Sequence, residues 1–263
     1  MRRFLMGAFA LACGIAQVGA GSPTIPDESG SAPMRFEWRR EGPAERCGSN
    51  CRVWISGSGY ITADTPRDFE SFAHDSDVRG AVLVLDSDGG SVLGTMALGR
   101  IIRSFEMVTT IGKSMPLPGS ASGDRRAFLS PSGTCESMCA FLLLAGSSRY
   151  VPPEARVLVH QIWLGKKRKQ ALESSYSAEE LNVVQRDIGR LAQYTIEMGG
   201  GVDLLETALR IPPWEPLYRL SADELQRMRL STTEAPIDHS RRRTLSSGNS
   251  VATVGRLADY PRD

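Results

Sequence analysis

The sequence predicts an α/β protein built on a parallel β-sheet covered by helices, and three patterns predict it. Residues 80–86 read Gly-Ala-Val-Leu-Val-Leu-Asp, continuously apolar as a strand covered on both faces must be. Residues 91–105 then place Val92, Met96, Leu98, Ile101, Ile102 and Phe105 at nearly helical spacing, and residues 107–111 are β-prone again. That order makes a β-α-β unit with a right-handed crossover. Further on, the apolar run Val157-Leu158-Val159 is followed by Ser177-Ala178-Glu179-Glu180, a capping-box pattern opening a long amphipathic helix towards Met198.

The first twenty residues read as an export signal, because Arg2 and Arg3 precede an apolar run over 4–12 too short to span a bilayer. Val18-Gly19-Ala20 offers small residues before a cut at Gly21. A periplasmic or secreted location follows; the competing readings are lipidation at Cys13 and an uncleaved anchor. Residues 21–45 then form a flexible lead-in, Gly/Ser/Pro-rich over 21–33. No later segment reaches the roughly 18 uninterrupted apolar residues of a membrane span, so none is expected once the signal is removed. The 31 basic and 30 acidic side chains nearly cancel, which argues against nucleic acid as a partner. With no central linker or internal repeat, residues 46–235 are expected to form one domain, and 236–263, basic and then Ser/Gly-rich, a disordered tail.

Within the domain, Arg52-Val53-Trp54-Ile55 is a β-prone run stopped by Gly57 and Gly59, and Tyr60-Ile61 restarts it. Asp64 before Thr65 and Pro66 predicts a capped helix running to Ala73. The pattern lapses over 112–134, a stretch rich in Gly, Pro, Ser and Arg that predicts a surface loop. Residues 135–145 are apolar nearly all round, as a helix inside the core is. Residues 149–151 and 157–159 are strands separated by Pro152 and Pro153. Three glycines at 199–201 end the long helix, and a further helix covers 202–209.

Beyond Cys13 the chain has Cys47, Cys51, Cys135 and Cys139. An even count in an oxidising compartment favours disulfides, and four cysteines allow three pairings. The local pairs are preferred, since Gly48-Ser49-Asn50 between the first two is turn-forming. Zinc fits less well, with three histidines in the whole chain. No metal and no organic cofactor is indicated.

Sites of parallel-sheet folds lie where strands end and helices begin, and three segments sit there. In Asp86-Ser87-Asp88-Gly89-Gly90-Ser91 the glycine pair lets backbone N–H groups face a ligand oxygen; the plainer reading is a tight turn. Glu136-Ser137-Met138-Cys139 sets a hydroxyl at a helix start, where unpaired N–H groups favour the oxyanion that attack would form; the plainer reading is a helix cap. Val157-Leu158-Val159-His160-Gln161 ends an apolar strand on an imidazole suited to take a serine proton near neutral pH; the plainer reading is a satisfied core histidine. His74 and His239 are poorly placed by comparison.

Taken in order, these segments resemble the proteolytic subunit of Clp protease, a member of the ClpP/crotonase superfamily, and among its branches the exported, periplasmic one. The glycine pair with Val92 is similar to that family's glycine-rich oxyanion segment. Ser137-Met138 with Ala140-Phe141-Leu142-Leu143 and Ala145-Gly146 is similar to its nucleophile helix, and residues 156–161 to its histidine strand. The similarity runs from about Val53 to Leu230. It implies a spiral of β-β-α units, a nucleophile at Ser137, a general base at His160, and an oxyanion hole from the N–H groups around Gly89, Gly90 and Met138. It also implies hydrolysis of peptide or protein substrates, and a homo-oligomer.

Three departures bear on that reading. The family's catalytic aspartate falls just before Leu220-Ser221-Ala222, where this chain has Leu217; Glu215 is a doubtful substitute and Asp203 a more remote one. Cys135 and Cys139 flank the serine, four apart on one helix face, where a disulfide would brace its turn. The export signal separates the chain from cytoplasmic unfoldases. The alternative function is therefore a catalytically lapsed binding or assembly protein. Enolate chemistry on a coenzyme A thioester is disfavoured outside the cytoplasm, and so is a thiol redox role for the cysteines. The basic run Lys166-Lys167-Arg168-Lys169 is read as a solvated loop.

Overall fold

The computed structural model describes residues 32–119, 124–164, 173 and 175–233. The export signal, Cys13, His239, the basic run over 166–169 and the tail over 236–263 lie outside the described residues. In chain order the elements are β1 (Arg35–Glu41), α1 (Ala44–Cys47), β2 (Val53–Ser58), α2 (Thr65–His74), β3 (Val82–Asp86), α3 (Val92–Ser104), β4 (Val108–Ile111), β5 (Lys113–Pro116) and β6 (Arg126–Ser130). There follow β7 (Thr134–Glu136), α4 (Met138–Leu143), β8 (Ser148–Tyr150), β9 (Arg156–Val159), α5 (Ala178–Glu197), α6 (Asp203–Arg210), β10 (Tyr218–Arg219) and α7 (Ala222–Arg227).

Seven strands form one sheet in the order β5-β6-β1-β2-β3-β4-β8, parallel from β2 to β8, and three form a second in the order β10-β9-β7. A repeating unit emerges. Each of the parallel strands β2, β3, β4 and β8 leads, β4 by way of the β5–β6 hairpin, into a short segment that pairs in the second layer, and then into a helix. Thus β2 passes through Ile61 to α2, β3 through Ser87 and Gly90 to α3, β4 through β7 to α4, and β8 through β9 to α5; single bridges Ile61↔Gly90 and Ser87↔Cys135 join the first three units. This is a mixed α/β fold of the expected class, and its second layer puts the chemistry-bearing segments side by side.

The main core lies between the large sheet and the helices, where Leu83, Leu85, Leu98, Ile102, Phe141, Leu142 and Tyr194 meet. A smaller cluster of Trp54, Val82, Val84, Val108 and Ala127, with Leu129 against it, covers the other face. Both faces of β3 are thereby buried, which is why its sequence does not alternate. α3 approaches α5 closely: a Cβ on Gly99 would lie 1.9 Å from the Tyr194 hydroxyl, so a side chain there has no room.

Two arginines hold the helix ends together. Arg103 Nε donates to the Ala145 carbonyl (2.8 Å), and its Nη2 to those of Leu144 (2.7 Å) and Met198 (3.0 Å). Arg149 Nη1 donates to the same Leu144 and Met198 oxygens at 2.8 and 3.0 Å. These are the orphan carbonyls at the ends of α4 and α5, where a cation is favoured. Arg149 is 6 % exposed, and burial, reinforced by Arg103 and Arg229, pulls its pKa down to about 10.

Several expectations are corrected. The flexible lead-in over 21–45 does not hold for its second half, because β1 pairs with β2 and β6 and turns Phe36 and Trp38 towards Phe72 of α2. The expected loop over 112–134 holds a hairpin, β5–β6, whose outer strand carries its proline at the sheet edge where no ladder N–H is needed. Asp64 heads α2 without a side-chain cap bond; instead Thr65 Oγ1 accepts the Thr62 N–H at 2.8 Å. The expected helix over 135–145 begins only at Met138, and Cys135 lies in β7. The box at Ser177 and Glu180 forms as expected, and Ser221 with Glu224 makes a second one.

Candidate active site

Ser137 stands between the last residue of β7 and the first of α4 with φ 52° and ψ −118°. A residue with a Cβ pays about 1–3 kcal/mol for such a backbone, so the surroundings must impose it. Three do. The Ser137 N–H donates to the Leu158 carbonyl at 2.8 Å, in continuation of the parallel β7–β9 ladder. The disulfide Cys135–Cys139 closes the turn, its Cα atoms 5.1 Å apart; a five-residue loop of this kind restricts the unfolded chain by about 2 kcal/mol. Gly89 fills the third side.

At Gly89 (φ +88°) an added Cβ would lie 2.6 Å from the Glu136 carbonyl, 2.8 Å from Ser137 Cβ and 2.9 Å from the Met138 nitrogen. Only a glycine lets the backbone come this near. The Gly89 N–H reaches the buried Ser87 hydroxyl at 3.2 Å, and the Gly89 carbonyl and Ser91 N–H are taken by Ile61, each at 2.7 Å. In such a ladder the middle residue, Gly90, faces its N–H away from the partner. The Met138 N–H opens α4, where no acceptor exists within the helix. The plainer reading of Ser137 as a helix cap does not apply, since its side chain makes no cap bond and its backbone lies outside the cap region.

His160 follows directly on β9, two residues beyond the Leu158 that holds Ser137, and is half-buried. The exposed faces sort accordingly: Cys135 and Val157, paired in register, are in the core, whereas Glu136 and Leu158, the next pair, are half-buried on the other face with His160. β10 pairs antiparallel with β9 through Tyr218↔Val159, so continuing the register one step sets Leu217 opposite His160. The structure therefore brings Gly89, Ser137, Met138 and the His160 strand together. It leaves the candidate acids out: Glu215 is exposed on a turn, its N–H donating to Pro212 at 3.0 Å, and Asp203 is exposed at the head of α6. His74 ends α2 at the surface beside Asp75.

The cysteines correct one expectation. Cys135 and Cys139 do not share a helix face; one is in a strand and the other in a helix, and their bond spans the junction. The second pair, Cys47–Cys51, closes the turn after α1. Residues that the sequence reading passed over are Ser87, which orients the glycine pair, and Asp86, whose carboxylate accepts the Thr134 N–H at 3.0 Å and fixes the start of β7. Both stood in the quoted strand-end motif, but nothing local marks a buried hydroxyl as an orienting group.

Residues 126–198 match the family model of Clp protease. The match supports a likeness of this segment to the ClpP/crotonase-like superfamily. The matched Clp-protease-like stretch runs from β6 to α5 and contains both Ser137 and His160, whereas the glycine pair and Leu217 fall outside it. A comparison with curated proteins gives no match for the chain. Among the described residues no cluster of His, Cys, Asp and Glu is arranged to hold a metal, and no helix is long and apolar enough to cross a membrane. A cavity of about 400 Å³ lies across the large sheet, lined by residues including Trp54, Val82, Leu129 and Tyr150; Ser137 and His160 do not line it.

Proposed function

We propose that the protein is an exported serine hydrolase, a peptidase of the Clp-protease-like kind, acting in the periplasm or outside the cell. The observation that carries this reading is the backbone of Ser137, held at positive φ between a strand and a helix with Gly89 against its Cβ. A strained strand-to-helix turn is the arrangement that presents a nucleophilic oxygen clear of its own backbone.

In the mechanism, His160 takes the Ser137 proton as the oxygen attacks the peptide carbonyl. The N–H groups of Met138 and Gly90 receive the oxyanion, while the Gly89 N–H, bonded to the Ser87 hydroxyl, holds the glycine pair in place. His160 then passes the proton to the departing amine, and water, activated by the same imidazole, releases the acyl group. No metal or organic cofactor enters these steps. Self-association into a homo-oligomer is part of the reading, carried by the family likeness.

One observation favours the alternative of a lapsed enzyme kept for binding: the position opposite His160 holds Leu217, which cannot orient an imidazole. Labelling of the oxidised protein with a fluorophosphonate, with the modified residue mapped by mass spectrometry, separates the two. The hydrolase reading expects a single adduct on Ser137, lost in Ser137→Ala and strongly slowed in His160→Ala. A folded protein that takes no label would establish the lapsed reading instead.

A further inference from the structure

We infer that the Cys135–Cys139 disulfide is a positioning element for Ser137, and that the hydrolytic activity is confined to protein that has folded under oxidising conditions. The inference rests on the proposed serine hydrolase reading and adds a condition to it.

The bond brackets the serine evenly, one cysteine two residues before it and the other two residues after. Cys135 is fixed by the ladder to Val157, and Cys139 belongs to the first turn of α4. Four residues of extended chain would carry the second cysteine about 13–14 Å away; here the Cα atoms are 5.1 Å apart. The chain must reverse between them, and the residue that turns it is Ser137 at φ 52°. The bond and the serine's backbone are thus set within the same turn of chain.

Both cysteines are 0 % exposed, in a part of the core made of Met138, Ala140 and Phe141, where packing leaves little slack. Two thiols need van der Waals separation where a bond needs none. In the reduced chain the first turn of α4 moves off β7, and it takes Ser137 and the Met138 N–H away from Gly89. Burial also means that small thiols have no path to the bond in the folded protein, so the choice is made during folding. The Cys47–Cys51 pair has no such relation to Ser137 and serves as the internal control.

Formation is ordinary exchange. One cysteine thiolate attacks an exchangeable disulfide of a protein or of glutathione, and the other thiolate displaces that mixed disulfide. The cysteine pair gives up two electrons and two protons, and the oxidant leaves as two thiols. A chain kept in a reducing cytosol lacks such an oxidant, so its nucleophile remains unset until export.

The test compares oxidised wild type, Cys135→Ala/Cys139→Ala, Cys47→Ala/Cys51→Ala, wild type refolded with a dithiol reductant, and that reduced protein unfolded once more and re-oxidised during refolding. Fluorophosphonate labelling is resolved into probe affinity and reaction rate, and amide exchange is followed at residues 136–138. Loss of the inner bond is expected to lower the reaction rate at least about ten-fold at unchanged probe affinity, to speed exchange at 136–138, and to be reversed by re-oxidation. The outer pair is expected to change neither. Cys135→Val/Cys139→Ala, which refills the apolar volume, replaces the alanine pair if that variant does not fold. A folded inner-pair variant that labels like wild type overturns the inference and leaves the hydrolase reading standing. Oxidised wild type that takes no label overturns the hydrolase reading, and exchange at 136–138 then decides by itself whether the bond positions Ser137.

Discussion

Gly89 lies so close to Ser137 that a Cβ on the glycine would stand 2.8 Å from the Cβ of the serine. Gly89→Ala must therefore push the serine turn away, and it also places alanine at φ +88°. The expected result is a loss of about 1–3 kcal/mol in stability together with a fall of at least about 100-fold in labelling at Ser137, the size seen when an oxyanion donor is lost. Urea unfolding and labelling kinetics read the two effects. A folded Gly89→Ala protein that labels at the wild-type rate would show that the close approach has no part in catalysis.

Arg149 is the buried cation that ties the ends of α4 and α5. Arg149→Leu removes the charge, relieves its repulsion with Arg103, and strips two buried carbonyls of one donor each. Hydrogen bonds to a charged group contribute about 1.5–3 kcal/mol apiece, and Arg103 retains bonds to both oxygens; a net loss of about 2–3 kcal/mol is expected. Arg100→Ala, which breaks an exposed pair with Glu197, should cost under about 1 kcal/mol. Equal urea midpoints for the two variants would contradict the assigned role.

The parallel sheet was legible because β3 and α3 carry unambiguous periods. The strand β1 was not, although Phe36 and Trp38 alternate: charges at Arg35, Glu37, Arg39, Arg40 and Glu41 mask a strand whose other face is open to water. The hairpin β5–β6 was hidden by Lys113 and Pro116, which the edge strand β5 tolerates, and by the charge of Arg126 in β6. The turn at Ser137 was misread for a different reason. A buried three-residue strand and a buried helix start are both simply apolar, so periodicity cannot divide them at Glu136. The meeting of Gly89 with Ser137 joins distant parts of the chain, and only the family likeness made it visible in advance.

Glu41, at the end of β1, pairs with Arg52, the residue before β2, Arg52 Nη2 to Glu41 Oε1 at 2.7 Å. The Arg52 side chain holds the Glu41 carboxyl below its ordinary pKa of 4.5, against an opposing effect of burial. A lowered folded pKa means that the stabilisation is complete above the unfolded value and is lost as pH falls through the folded one. Thermal unfolding of wild type and Glu41→Gln should therefore differ at neutral pH, and the gap should close as pH drops below the carboxylate range. A gap that persists in acid would assign the difference to packing.

Leu217 is opposite His160 by the β9–β10 register, on the side of β9 away from the serine strand β7. An acid there would fix the imidazole tautomer and favour the imidazolium formed during attack, the role whose loss in a complete triad slows reaction by about 10⁴-fold. Leu217 is half-buried in a short exposed strand end, so a carboxylate can be introduced without stranding a charge in the core. Leu217→Asp is expected to raise the labelling rate at Ser137 by about ten-fold or more and to raise the pKa of the base in the pH–rate profile, because an adjacent carboxylate favours the protonated ring. Leu217→Asn, of the same size and without the charge, should do neither. If both variants label like wild type, His160 is already oriented by another group; if Leu217→Asp labels more slowly than Leu217→Asn, the carboxylate does not face the ring and the register argument fails.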